Sequence, residues 1–195
     1  MILNGYVTSN NQIPIANAVL EIKGDDFVTI YHTQSDETGY YQFDIPAGQY
    51  PFLTAVKEYG VNNLEYWCQN IDLQNDLSLD VSFGKLEVYG LHVFPVKGSG
   101  NGLMVYFRPM SLDKFQRGEQ DIVPDGISIR VTLDETEVSV AAVNRVTEIA
   151  ADRKMTAFLI QIDSANHSPS WKKLDLQITD SDNHYGAASI FNDLR

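Results

Sequence analysis

The stretch TQSDETGYYQFDIPAGQY, residues 33–50, combines a turn, a strand and a second turn. In the first turn, Asp36 can cap the main chain with its carboxylate and Gly39 can adopt a positive φ. Tyr41 and Phe43 then alternate with polar residues, which is the period-2 pattern of a half-buried strand. The proline and glycine that follow end this strand. The stretch therefore predicts antiparallel β-structure.

The same alternation, broken by turn residues, continues along the whole chain and predicts an all-β protein. Further strand-like runs are residues 18–23, 27–31, 50–56, 77–83, 86–96, 103–107, 127–133, 155–162 and 171–178. The segment 138–152 is ambiguous, because Val140, Val143, Val146 and Ile149 are spaced as on one side of a helix. Its valine and threonine content favours two strands, and a short helix is the alternative.

Two β-sandwiches in series account for this pattern. The alternation is interrupted around Gly84, where we place a domain boundary between residues 1–85 and 86–195. The glycine-rich stretch 98–102 separates two strand-like runs, so we predict that it is a hairpin loop rather than a linker.

Composition and charge exclude several functional classes. Hydrophobic residues make up 44% and charged residues 21% of the 195 residues, as in an ordinary globular protein. The net charge of −12 disfavours nucleic acids and anionic membrane surfaces as partners. The chain has no apolar run of the roughly 20 residues needed to span a bilayer and no signal-peptide pattern at Met1. Cys68 is the single cysteine, which excludes an internal disulfide.

The first half resembles the carboxypeptidase regulatory-like domain, a transthyretin-like (prealbumin-like) β-sandwich. The resemblance rests on four segments that occur in the family's order and spacing. These segments are Gly5-Tyr6-Val7, IPIANAV (residues 13–19), TQSDETGYYQF (residues 33–43) and PAGQY (residues 46–50).

The second half resembles a bacterial immunoglobulin-like domain through WKKLDLQITDSDNHYGAAS, residues 171–189. One glycine of that family's final turn is replaced here by the residues Asp182-Asn183-His184. Together the two resemblances imply modules appended to exported bacterial proteins, and hence an extracytoplasmic or cell-surface location. A cytoplasmic location is the alternative.

The sequence has no recognisable catalytic or metal-binding motif. Neither Gly-x-Ser-x-Gly nor His-Glu-x-x-His occurs, and the four histidines lie far apart. Cys68 has no histidine or basic residue beside it and is expected to be a buried thiol. Residues 180–182 are the best calcium-like fragment, but the remaining ligands of an EF-hand loop are missing and a turn explains them. We predict no enzymatic activity, no cofactor and no metal site.

Aromatic residues near loops are the remaining candidates for ligand contact. Tyr59, Tyr66 and Trp67 flank the loop 60–63, and Trp171 begins a late strand. Exposed rings of this kind can stack on sugars or bind a protein partner, and packing in the core is the alternative. The first hypothesis is a non-enzymatic structural or adhesion module of a larger exported protein or assembly. The second is a carbohydrate-binding accessory module. The sequence identifies neither the protein or polysaccharide partner nor the oligomeric state.

Overall fold

A computed structural model describes residues 1–96, 102–150, 153–164 and 171–192. Within these residues the chain forms sixteen strands and one short helix. In chain order they are β1 (Ile2–Thr8), β2 (Val19–Lys23), β3 (Thr29–Gln34), β4 (Tyr40–Asp44), β5 (Gly48–Val56), β6 (Tyr66–Leu73), β7 (Leu77–Ser78), β8 (Val81–Ser82), β9 (Leu86–Pro95), β10 (Gly102–Ser111), α1 (Leu112–Gln116), β11 (Ser128–Leu133), β12 (Thr136–Val138), β13 (Val140–Ala150), β14 (Arg153–Asp163), β15 (Lys173–Thr179) and β16 (Tyr185–Phe191). The predicted all-β class of β-sandwich type is confirmed.

The strands are arranged in three sheets. The largest has eight strands in the order β12-β11-β15-β16-β6-β5-β2-β3, and a second has the order β13-β14-β10-β9. In the third, β1 lies between β4 and β7, and β8 also pairs with β1. Most pairs are antiparallel, but β16 runs parallel to β6, with Ser189 opposite Cys68. This pairing joins the two halves of the sequence in one sheet.

Two hydrophobic cores lie against these sheets. The first is built mostly from residues before Gly84, and the second mostly from residues after it. The division is not complete, because Tyr185 and Ala187 of β16 pack in the first core and Trp67 of β6 packs against the second. The boundary at residue 85 therefore stays a prediction, and the two cores share the eight-stranded sheet.

The turn before β4 has the predicted chemistry. Asp36 Oδ1 accepts hydrogen bonds from the Thr38 main chain at 2.8 Å, the Thr38 hydroxyl at 2.7 Å and the Tyr40 main chain at 3.0 Å. The bond from the Thr38 hydroxyl is the main reason that the pKa of Asp36 is lowered. Gly39 has a φ of +81°, which allows the chain to return into β4. Tyr41 and Phe43 are then buried on one face.

The ambiguous segment is extended. Residues 136–138 and 140–150 form strands, so the helical alternative was wrong, and residues 151 and 152 lie outside the described part. The predicted hairpin around residues 98–102 is also present, since Leu103 of β10 pairs with Pro95 of β9. Residues 97–101 of its loop are not described. No helix in the described ranges has the length and apolar character needed to cross a membrane.

Candidate functional site

The four aromatic residues proposed from the sequence occupy different environments. Tyr66 is 2% exposed and Trp171 is 6% exposed, so their rings belong to the two cores and cannot present a platform to a ligand. The Tyr66 hydroxyl donates to Ser189 Oγ at 2.7 Å. Tyr59 is 54% exposed and is not among the residues that line the groove described next. Trp67 is half-buried and is the one member of the set that lines the groove described next.

An aromatic groove with a volume of about 280 Å³ lies where the two halves of the chain meet. Six ring-bearing residues and four others form its walls. These residues, which define the aromatic groove, are Phe27, Phe52, Trp67, Gln69, Tyr89, Gly90, His92, Tyr106, Arg108 and Glu148. They come from β5, β6, β9, β10, β13 and the turn between β2 and β3, and ligand sites are commonly found at such junctions.

A β-bulge in β9 brings Tyr89 and His92 to the same wall. The register shifts between the pairs Tyr106–His92 and Arg108–Tyr89, so that two residues of β9 lie opposite one of β10. Gly90 has a φ of +62° at this point, a conformation that glycine adopts readily. A glycine inside a strand-like run was the sequence signal that could have located this wall.

The rings of the groove pack edge to face around Trp67. Phe27 and Phe52 are stacked with centroids 4.8 Å apart and an interplanar angle of 19°. Trp67 makes T-shaped contacts with Phe27 at 6.3 Å, Phe52 at 6.1 Å and Tyr89 at 5.8 Å. These geometries are favourable for aromatic pairs, so the rings hold one another in place before any ligand arrives.

Phe27 has the most unusual geometry in the groove. The expected strand 27–31 begins only at Thr29, and Phe27 lies in the preceding turn with a φ of +61°. The left-handed conformation costs an ordinary residue about 1–2 kcal/mol. The side chain is 54% exposed, so more than half of its surface is accessible to a ligand. Sequence reasoning missed Phe27, because a turn of Gly24-Asp25-Asp26 followed by Phe has no established left-handed signature.

Arg108 and Glu148 neutralise each other across the groove. Arg108 Nη1 donates to Glu148 Oε2 at 3.0 Å, and the same oxygen accepts from the Tyr106 hydroxyl at 2.7 Å. The Arg108 guanidinium also lies over the Tyr89 ring, with its Cζ 4.6 Å from the centroid. Desolvation, and secondarily the Glu148 carboxylate, raise the pKa of Tyr106 to about 12. The hydroxyl therefore remains a donor at neutral pH.

Glu87 anchors Trp67 from behind. It is 1% exposed, and its Oε1 accepts from Trp67 Nε1 at 3.0 Å while its Oε2 accepts from the Glu65 main chain at 3.4 Å. Burial raises the pKa of Glu87 to about 7, although the two hydrogen bonds act in the opposite direction and lower it. No sequence pattern indicated this residue, because a single glutamate in an apolar strand resembles an ordinary solvent-facing position.

One other cluster of polar residues is explained by its hydrogen bonds, and Cys68 is explained by its burial. Asp180, Asp182 and His184 bring ligand atoms within 4.8 Å of one another. However, Asp180 Oδ1 accepts from the main-chain amides of Asp182 and His184 at 2.9 and 2.8 Å, which is the predicted role in a turn. Cys68 is buried as expected, and burial raises the pKa of its thiol, which disfavours the nucleophilic thiolate.

A larger polar cavity of about 550 Å³ lies beside the β6–β16 pair. Ser189 Oγ accepts from the Tyr66 hydroxyl and donates to Asp175 Oδ1. The Lys173 ammonium lies 3.2 Å from Asp175 Oδ2. The Asp175 carboxylate is thus paired with a cation and with the serine hydroxyl. This series of contacts is a structural connection between strands.

Comparison of the sequence with known protein families finds no match, and comparison with curated proteins finds none either. The major pilin subunit BcpA of Bacillus cereus is similar in structure at a TM-score of 0.34 and 13% identity, covering 97% of this chain and 67% of that chain. DUF3823 family proteins from Bacteroides ovatus and Parabacteroides merdae give TM-scores of 0.32 at 12% and 15% identity, each covering 97% of both chains. Likenesses at this level carry no argument about function. The two family resemblances suggested by the sequence stay predictions.

Proposed function

We propose that this chain is a non-enzymatic binding and adhesion module of a larger, exported bacterial protein or assembly, and that it contacts its ligand through the aromatic groove. The observation that carries the proposal is the convergence of six ring-bearing side chains from both halves in one concave site. The exported location rests on the resemblance of residues 1–85 to the carboxypeptidase regulatory-like domain.

The Arg108–Glu148 pair in the groove and Glu87 behind it have structural partners, which supports binding rather than catalysis by these groups. Arg108 is paired with Glu148, and Glu87 accepts hydrogen bonds from Trp67 and from the Glu65 main chain. A general acid or base needs a proton-transfer atom within reach of the substrate. These carboxyl groups instead hold the aromatic walls in place.

The dimensions of the groove favour a carbohydrate over a folded protein as its ligand. A hollow of about 280 Å³ can hold one or two sugar-sized rings, whereas a folded protein would have to cover an area of about 800 Å² that extends beyond the hollow. Aromatic walls with a few polar groups suit a ligand that has apolar ring faces and polar edges. Trp67 retains its proposed role, and the buried Tyr66 and Trp171 are replaced by Phe27, Phe52 and Tyr89 as candidate contacts.

Affinity electrophoresis in gels containing single soluble polysaccharides tests the proposal. We expect at least one polysaccharide to retard the protein, and Phe52→Ala to weaken this retardation at least tenfold. Phe115→Ala is the matched control, because Phe115 is a 58% exposed ring on α1 outside the groove. Equal retardation of the Phe52 and Phe115 variants would exclude the groove as the site. The absence of retardation by every polysaccharide would remove the carbohydrate ligand.

A further inference from the structure

We propose that the aromatic groove selects an uncharged pyranose residue, which stacks on the free face of Phe27; this inference rests on the proposed function. It combines three observations, namely the backbone conformation of Phe27, the stacking of its ring and the pairing of the charges around it.

The conformation of Phe27 is maintained by its turn rather than by its side chain. The Phe27 main chain donates to the Gly24 carbonyl at 2.9 Å, and the Gly24 main chain donates to the Val28 carbonyl at 3.0 Å. A glycine at position 27 would satisfy the same φ of +61° without strain. A strained, exposed aromatic residue at the rim of a hollow indicates a functional position.

The ring of Phe27 has one covered face and one available face. Phe52 stacks on it at 4.8 Å, and Trp67 meets it edge to face, while more than half of the side chain remains exposed. The face of an aromatic ring is electronegative, so it attracts the weakly positive C–H groups of a sugar ring. The volume of about 280 Å³ is near the lower end of ligand pockets, which suits one or two such rings.

The charges near the groove are paired with one another, which disfavours a charged ligand. Arg108 lies 3.0 Å from Glu148 and covers the face of Tyr89, and Lys23 lies 3.1 Å from Glu21 and 6.0 Å from the centroid of Trp67. An anionic sugar would lie beside the carboxylate that holds the arginine. A cationic ligand would meet aromatic faces that already have cations near them. Hydroxyl groups can bind at the edges of these ion pairs without separating them.

The test is a titration of tryptophan fluorescence with neutral and carboxylated polysaccharides, among which hydroxyethylcellulose and carboxymethylcellulose form the matched pair. The neutral probes are hydroxyethylcellulose, starch, xylan and galactomannan, and the anionic probes are carboxymethylcellulose, polygalacturonate and alginate. Salt must be high enough to screen the net charge of −12, so that general repulsion does not decide the result.

Phe27→Gly is the diagnostic variant, because glycine preserves the turn, and Val28→Ala is its control, because Val28 is a 61% exposed neighbour in the same segment. We expect a neutral probe to bind, its carboxylated counterpart to bind at least tenfold more weakly, and Phe27→Gly alone to weaken binding tenfold or more.

Each other outcome overturns a specific statement. Equal or stronger binding of carboxylated probes that still depends on Phe27 would refute the selection of uncharged sugars and leave the proposed function intact. Binding that is lost in Phe52→Ala but unchanged in Phe27→Gly would refute stacking of the sugar on Phe27, while the aromatic groove would remain the proposed binding site. If no probe binds, the carbohydrate function itself fails together with this inference.

Discussion

Replacing Glu87 by glutamine is expected to remove the contribution that ionisation of Glu87 makes to the pH dependence of the unfolding free energy. Glu87 is buried behind Trp67, and burial raises its pKa in the folded protein from 4.5 to about 7. The folded state therefore binds the proton more tightly than the unfolded state does. The stabilisation that this proton provides is fully present below pH 4.5 and is lost as the pH rises through 7.

The magnitude follows from the pKa difference of about 2.5 units between the folded and unfolded states. At about 1.4 kcal/mol per unit, complete ionisation of Glu87 costs the folded state about 3–4 kcal/mol. Between pH 5 and pH 8 the wild type should lose about 2 kcal/mol or slightly more through this group. Glutamine keeps one oxygen to accept from Trp67 but places an amide against the Glu65 main chain, which costs about 1 kcal/mol at every pH.

Urea unfolding of the wild type and of Glu87→Gln at pH 5 and pH 8 measures this difference. At pH 5 the two proteins should be about equally stable, because ionisation of Glu87 in the unfolded state has already removed about 1 kcal/mol from the wild type there. At pH 8 the variant should be the more stable protein by about 2 kcal/mol. Glu37→Gln is the control, because Glu37 is exposed and its replacement should leave the pH dependence as in the wild type. The same change in unfolding free energy with pH for the wild type and Glu87→Gln would refute the reasoning.

Two further substitutions test the fold. Gly39→Ala should lower stability by about 2 kcal/mol or more, because alanine would have to adopt a positive φ and its Cβ would lie 2.5 Å from a carbonyl oxygen of β1. Gly60→Ala is the control and should cost about 1–2 kcal/mol, because it also needs a positive φ but nothing lies within 4 Å of its Cβ. Thermal unfolding that finds the two variants equally stable would contradict the close contact at Gly39. Tyr66→Phe should cost about 1 kcal/mol by removing the donor to Ser189, measured by urea unfolding, and an unchanged midpoint would mean that this bond contributes nothing to the connection between the halves.

The local features of the fold were predictable because they depend on residues close in sequence. Alternation with a period of 2 located the buried positions Tyr41 and Phe43, and the turn before them required a left-handed residue at Gly39. The segment 138–152 was more difficult, because valines three residues apart fit a helix. Its β-propensity decided correctly, and Val143 and Ile149 remain exposed on an edge strand.

The candidate site was only partly predictable, because it depends on contacts between distant residues. Trp67 was identified as an aromatic residue near a loop, but the same argument included Tyr66, which alternation places on the buried face of β6. Phe27 was predicted to be part of a strand, because the residue types around it do not indicate the left-handed backbone conformation that it adopts in the turn. Glu87 becomes unusual only when Trp67 is packed over it.

The parallel pairing of β6 with β16 has a consequence for synthesis of the protein. A nascent chain that has left the ribosome up to residue 85 contains β6 but lacks its neighbour, which is formed by residues 185–191. Until those residues emerge, one side of β6 has unpaired main-chain groups that can recruit a strand from another molecule. We therefore expect expression of the first half alone to yield aggregates, and co-expression of a peptide spanning residues 171–192 to improve its recovery.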